Sequence, residues 1–219
     1  MTPRTWTLGI PDEEFHQRKP LRGLITKLEV RVVALARLGL RDDSVVWDVG
    51  AGSGSISIEA ALLAPRGRVF AIEKAPEDCE NVRLNVAKFA TANVEVWEAL
   101  APDCFSGLPD PDAVFVGGSA GRMAAILEQS ASRLRPEGRL VVDAATIENL
   151  AETVSCLKGL GMAFDVTLLA AARSKELIGL TRFEALNPVF IVAARRAGPH
   201  PDPLPEGEGT PHHSPRGPL

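Results

Sequence analysis

The stretch that most constrains this chain is Val45-Val46-Trp47-Asp48-Val49-Gly50-Ala51-Gly52-Ser53-Gly54. A short apolar run ends in an acid and opens into G-x-G-x-G, and Ser55-Ile56-Ser57-Ile58-Glu59-Ala60-Ala61 follows as a helix start. Physically this is a buried strand, a tight turn and a helix. Glycine permits positive φ there and lets a ligand approach the backbone without meeting a Cβ. About twenty residues on, Arg68-Val69-Phe70-Ala71-Ile72-Glu73 reads as a second strand ending in an acid, a placement that suits the two hydroxyls of an adenosine ribose. The pattern predicts an adenosine-containing cofactor. Its plainer reading is a strand-to-helix turn that binds nothing.

The dinucleotide fingerprint G-x-G-x-x-G requires glycine at position 55, which is Ser55. The spacing of Asp48, Gly50, Gly52 and Gly54 instead resembles the D-x-G-x-G-x-G loop of seven-strand S-adenosylmethionine methyltransferases. That ligand has no pyrophosphate to seat on a helix N-terminus, so a changed glycine spacing is tolerated.

With 219 residues the chain suffices for one α/β domain with a large core. Its longest apolar runs fall well short of the ~20 residues of a membrane span. Residues 1–11 lack a signal peptide's basic-then-apolar pattern. Cys79, Cys104 and Cys156 are odd in number, widely separated and without C-x-x-C, which argues against disulfides or zinc and fits a reducing cytosol. The expectation is a cytoplasmic protein with no resident metal. A net charge of −4 gives no broad footprint for nucleic acid.

Residues 1–25 read as an irregular arm carrying Gly9-Ile10-Pro11-Asp12-Glu13-Glu14-Phe15 and the cations Arg18, Lys19 and Arg22. The arm is either a solvated charge run or a segment that closes over an acidic substrate. Next, Thr26 is the expected N-cap of a helix, Glu29 completes T-x-x-E, and Ile25 with Val30 forms a hydrophobic staple. Leu28, Val32 and Leu35 are its expected buried face and Gly39 its stop. Residues 76–90 read as a helix with Val82, Val86 and Phe89 inward, and 93–97 as a third strand. The loop 98–103 follows, where this architecture contacts adenine. A fourth strand spans 112–117, and Gly118-Ser119-Ala120-Gly121 is expected to start a helix. A fifth strand, 139–143, and a helix over 147–160 closed by Gly161 come next.

The last two strands are expected at 164–172 and 189–194, separated by a loop around Arg173-Ser174-Lys175. With no helix between them they should pair antiparallel. The expected fold is therefore α/β, a Rossmann-like seven-stranded methyltransferase sheet with an antiparallel final hairpin. Its domain spans 26–196, between the arm and a tail. That tail, 197–219, holds seven of the chain's 17 prolines and three of its four histidines, a composition that cannot build a core. It reads as a disordered spacer in preference to a weak metal binder.

Ligands in such sheets sit at the carboxyl ends of the strands, which gathers Asp48, Glu73, Ala101, Gly117, Gly118 and Asp143 around one crevice. No D/N-P-P-Y/F turn follows strand four, so an exocyclic amine is a poor acceptor. Cys104 follows Pro102-Asp103 and lacks the Pro-Cys turn of a nucleophile. The one histidine outside the tail is His16, and there is no tyrosine. Few general bases are available, which fits an acceptor carbon that is already nucleophilic and an enzyme that supplies proximity and in-line orientation.

Five segments together resemble a known family: Gly9 to Phe15, then Ile25-Thr26-Lys27-Leu28-Glu29-Val30-Arg31, Val46 to Ser55, Val116-Gly117-Gly118-Ser119, and Asn187-Pro188-Val189. They are similar, in order and over residues 8–195, to the cobalamin-pathway precorrin methyltransferase/decarboxylases. Those are stand-alone carbon-15 enzymes or the C-terminal half of the fused C(5,15) enzyme, whose carbon-5 domain has no counterpart here. The resemblance implies methylation of a precorrin at carbon 15 with loss of CO₂ from the ring C acetate, S-adenosylmethionine as donor, and a homotetramer. Cofactor contacts would then fall on Thr26, Asp48, Gly50, Ala51, Gly52, Ser53, Gly54, Glu73, Ala101 and Gly117. In the adenine loop Leu100 stands where the family often has a polar residue, so contact there is apolar or main-chain.

A precorrin carries many carboxylates, and an acidic enzyme needs local cations to hold them. Arg18, Arg22, Arg173 and Lys175 are the candidates, each otherwise a solvated charge; Lys27, Arg122 and Arg182 are further rim cations. Two other readings stay open: a methyltransferase of the same fold acting on RNA or protein, and a module that binds cofactor or tetrapyrrole without turnover.

Overall fold

Strands β1 (Val45–Val49), β2 (Arg68–Glu73), β3 (Val94–Glu98), β4 (Ala113–Val116) and β5 (Arg139–Ala144) pair in parallel in the order β3-β2-β1-β4-β5. Most of their residues are buried, as strands covered by helices on both faces require. The computed structural model describes residues 6–18 and 25–196, so the tail and the cations Lys19 and Arg22 lie outside the described residues. Strand β9 (Val189–Arg196) inserts antiparallel between β5 and β6 (Met162–Leu169), completing a seven-stranded sheet.

Alternation along the strands divides the core. Val46, Val69, Ala71, Phe115 and Val141 face α1 (Leu28–Leu38), α2 (Ser55–Leu63) and α3 (Pro76–Phe89). Trp47, Val49, Phe70, Ile72 and Val116 face α4 (Met123–Arg133) and α5 (Ile147–Gly159). Every residue of α2 from Ser55 to Ala61 is buried, because α1 and α3 flank it and the sheet lies beneath.

Four expectations need correction. The segment around Arg173-Ser174-Lys175 is not a loop but strand β7 (Ala172–Leu177), paired with β8 (Leu180–Ala185) as a separate two-stranded sheet. Its turn, Ile178-Gly179, places both residues at positive φ, 52° and 70°. Such turns normally announce themselves with Asn-Gly or Asp-Gly, so an Ile-Gly turn was invisible in sequence. The final two strands of the main sheet are thus antiparallel as expected, but joined through this excursion.

Gly118 to Gly121 do not start a helix: Ala120 and Gly121 have φ of 50° and 78°, and α4 begins at Met123. The Thr26 capping box does not form either. Lys27 occupies the N-cap position without a side-chain cap, and the Leu28 N–H donates to Asp12 Oδ1 at 3.0 Å. Finally, the buried face of α1 is Val30, Arg31, Ala34, Leu35 and Leu38, with Leu28 and Val32 only half-buried.

The rotation of α1 follows from Arg31, which is fully buried. Its Nε donates to Glu59 Oε1 at 2.8 Å, and its Nη1 to Asp12 Oδ1 at 3.2 Å and to the Thr26 carbonyl at 2.6 Å; Nη2 donates to the Ile10 carbonyl. Glu59, also fully buried, accepts the Gly9 and Ile10 N–H groups at 3.0 and 2.9 Å. The segment 9–15 is thereby anchored to the core, with Ile10, Asp12 and Phe15 buried. Removing one partner of a buried ion pair strands the other charge. Glu59→Ala should lower the unfolding free energy by about 3–5 kcal/mol, read from urea denaturation.

Candidate functional site

The strand order reverses between β1 and β4, and at that switch point a cleft of about 560 Å³ opens at the carboxyl ends of the strands. Its walls include Thr26, Asp48, Gly50, Ala51, Gly52, Glu73, Ala101 and Gly117, eight of the ten expected cofactor residues. Ser53 and Gly54 lie outside the wall and shape the loop. Gly54, at φ 75°, lies so close to α3 that an added Cβ would stand 2.8 Å from Val82 Cγ1. At Gly50 it would stand 2.7 Å from the Gly118 backbone, so glycine lets the β1 and β4 loops meet.

Glu73 closes one side. Its Oε2 accepts the Gly52 N–H at 3.0 Å, and Oε1 accepts the N–H groups of Lys74 and Ala75 at 2.8 and 2.9 Å. These bonds fix a carboxylate beside an apolar wall of Ile72, Leu100 and Ala101. Asp48 lies on the floor: Oδ2 accepts from Ser57 Oγ at 2.5 Å, while Oδ1 is buried without a partner. Burial pushes its carboxyl from 3.8 up to about 7, against the Ser57 hydrogen bonds.

Beyond Gly117 the wall passes to Ser119 after β4, Asp143 of β5, Asn149 of α5, Leu186 and Asn187 before β9, and Val189 of β9. Burial alone lifts the Asp143 carboxyl from 3.8 to about 6. Of the expected substrate cations, Arg18 lines the cleft and pairs with Asp78 at 2.5 Å. Lys27 lines it too, with its ammonium 4.0 Å from Asp12. Arg173 lies outside the wall, held by Glu29 at 2.7 and 2.8 Å and by Asp12 at 3.0 Å; these hydrogen bonds, Glu29's first, raise its pKa. Lys175 pairs with Glu184 at 3.1 Å on the hairpin, and Arg122 is bidentate to Asp103.

Burial raises the pKa of all three thiols, Cys79 to about 11, so none is an activated nucleophile. Among the described residues no cluster of His, Cys, Asp or Glu could hold a metal ion, and no helix is long and apolar enough to cross a membrane. Sequence reasoning missed Arg31, Glu59 and Asn85 as supports of the site. Asn85 accepts the His16 N–H at 2.8 Å and donates to the Ser53 carbonyl at 2.9 Å, tying the arm to the glycine loop. The one signal was a charge or amide inside an otherwise apolar helical stripe.

A seven-stranded sheet with an antiparallel end, a glycine loop after β1 and an acid closing β2 define a Rossmann-like methyltransferase. Residues 20–196 match the family described as the precorrin methyltransferase domain. The cobalt-precorrin-6B C(15)-methyltransferase (decarboxylating) of Salmonella typhimurium is 37% identical over 177 residues, covering 80% of this chain and 91% of its own. A precorrin-6y C5,15-methyltransferase structure from Geobacter metallireducens superposes with a TM-score of 0.83 at 42% identity, over 89% of this chain and all of its own. Precorrin 8W decarboxylase from Methanobacterium thermoautotrophicum gives 0.80 at 33% identity, over 85% and 99%. The chain belongs to the precorrin methyltransferase family.

Asp48 makes a testable contribution to stability. The native state keeps its proton up to about pH 7, whereas the unfolded chain releases it near 3.8. The native state therefore binds more protons across that window, and stability declines as pH rises through it. Asp48→Asn should flatten the decline, leaving the shares due to Asp143 and Asp78, whose carboxyls burial also raises. Urea midpoints measured across the window check this.

Proposed function

We propose that this chain methylates a precorrin at carbon 15 and decarboxylates its ring C acetate in cobalamin biosynthesis, using S-adenosylmethionine. The observation that carries the reading is one cleft whose wall runs from Glu73 and the glycine loop to Asp143 and Asn187, in a member of this family; we read the first part as the cofactor half and the second as the acceptor half. The cofactor fits the first half. Glu73 suits the ribose hydroxyls, Ile72, Leu100 and Ala101 form an apolar wall for adenine, and the unpartnered Asp48 oxygen suits an ammonium group. Thr26, the Gly50–Gly54 loop and Gly117 complete the proposed cofactor contacts. When bound, the cofactor supplies an electrophilic methyl group. The protein's own contribution is to hold the acceptor carbon in line with it and to exclude water.

Arg18 and Lys27 line the cleft and would receive substrate carboxylates, Arg18 by giving up Asp78. Arg173 and Lys175 join them only by exchanging their present carboxylate partners for those of the substrate, and Arg22 would extend the arm's cations. We read residues 26–196 as the methyltransferase domain, with a tetrapyrrole rather than a nucleic acid or membrane as partner, working in the cytoplasm.

The homotetramer is proposed on the β7–β8 hairpin. Leu177, Ile178, Leu180 and Phe183 are 50%, 94%, 75% and 75% exposed, far more apolar surface than a short hairpin carries without a partner. Ile178 adopts positive φ, a strain of about 1–3 kcal/mol for a non-glycine residue. Ile178→Asp with Phe183→Asp should shift the light-scattering mass from four copies toward one.

Incubation with S-adenosylmethionine and a precorrin-6B-type substrate, metal-free or cobalt-charged, should give a mass gain of one methyl and loss of one CO₂. No mass change on either substrate, with cofactor bound, would sink the reading. Glu73→Gln should weaken cofactor binding by about 10-fold or more, the loss expected for a charge-assisted hydrogen bond, measured by calorimetry.

A further inference from the structure

Loss of CO₂ from an acetate side chain leaves a carbon that must gain a proton, so the cleft needs an acid. Its titratable wall residues are few, and their commitments separate them. Glu73 holds three backbone N–H groups, Asp48 is bonded to Ser57 and turns its other oxygen to the proposed cofactor half, and Asp78 is paired with Arg18. Lys27, Arg18 and Lys74 are cations suited to holding carboxylates. Asp143 remains. It stands at the carboxyl end of β5, in register with Ile191 of β9, on the acceptor half of the cleft. Among the described residues its side chain has no hydrogen bond and no ion pair.

We propose that Asp143 is the acid that protonates the ring C side chain as its carboxylate leaves, an assignment that rests on the carbon-15 reading above. The bond between the methylene carbon and the carboxylate breaks, CO₂ departs, and the electron pair enters the conjugated macrocycle. The methylene carbon then takes the Asp143 proton, the pair returning to form the C–H bond of a methyl group. Asp143 is left as carboxylate and is reprotonated from solvent.

The environment suits the role. Desolvation without a cation nearby favours the neutral acid, as the rise to about 6 reflects. A substrate carboxylate beside it would raise the value further by like-charge repulsion, keeping the proton in place at neutral pH. Ser119, Asn149 and Asn187 line the same half of the cleft with neutral hydrogen-bonding groups that leave the acid uncharged.

The test follows methyl gain and CO₂ loss separately, by mass, in the wild-type protein, Asp143→Asn and Asp143→Glu, after calorimetry confirms cofactor binding in each. The expected result is CO₂ loss slowed about 100-fold or more in Asp143→Asn, well beyond any loss of methyl transfer, and partial recovery in Asp143→Glu. Wild-type CO₂ loss should fall as pH rises past the Asp143 titration, and the Asn variant should lack that limb. Decarboxylation by Asp143→Asn at the wild-type rate overturns the assignment, as does an equal loss of both activities with no change in pH profile. Wild-type protein inert on every precorrin overturns the functional reading itself, and the assignment with it.

Discussion

A guanidinium buried with no access to solvent holds this molecule's working parts together. Arg31 reaches from α1 to Glu59 on α2, to Asp12 and Ile10 in the N-terminal segment, and to the Thr26 carbonyl at its own helix entry. Asp12 then binds Arg173 of β7, which is clamped by Glu29 of α1. One connected set of charges therefore fixes α1, the segment before it, the helix behind the glycine loop and the root of the hairpin. Isolated ion pairs on a surface contribute little, but the buried part of this set, Arg31 with Glu59 and Asp12, favours one arrangement because removing a partner strands a buried charge. The cleft inherits that rigidity, since Thr26 and Lys27 on one wall and the loop before α2 on another hang from the same set.

The cleft itself is chemically sparse. Its titratable groups are mostly engaged with backbone amides or with each other, no cysteine lines it, and the remaining wall is apolar or amide. Such a site orients reactants rather than attacking them. That matches a conjugated macrocycle as substrate, which is able to carry its own electron flow, and it makes a lone uncommitted carboxyl such as Asp143 conspicuous.

The hairpin shows how a fold shared by many methyltransferases is individualised without touching the sheet. It leaves after β6 and returns before β9, so the antiparallel end of the sheet forms undisturbed while strongly apolar residues are carried outward. Its root, through Arg173, remains bonded to α1 beside the cleft wall.

Much of this was legible in the residues. The run Val45–Val49 into Gly50, Gly52 and Gly54, with Glu73 at the end of the next strand, determines a parallel sheet and a crevice at its carboxyl ends. The reason is local: strand burial, glycine backbone freedom and an acid at a strand terminus are all properties of short segments. The resemblance over residues 8–195 added the substrate class. What only the tertiary structure decided depends on partners distant in sequence. Thr26 yields its capping role because Asp12, 16 residues before Leu28, takes the Leu28 N–H. Arg173 turns away from the cleft because Glu29, 144 residues before it, is a better-placed partner. Ile178-Gly179 forms a turn its sequence does not advertise, since Leu180 to Ala185 pair with the strand before it. Local propensities fix which elements form; the matching of charges and strands across the chain fixes where the chemistry stands.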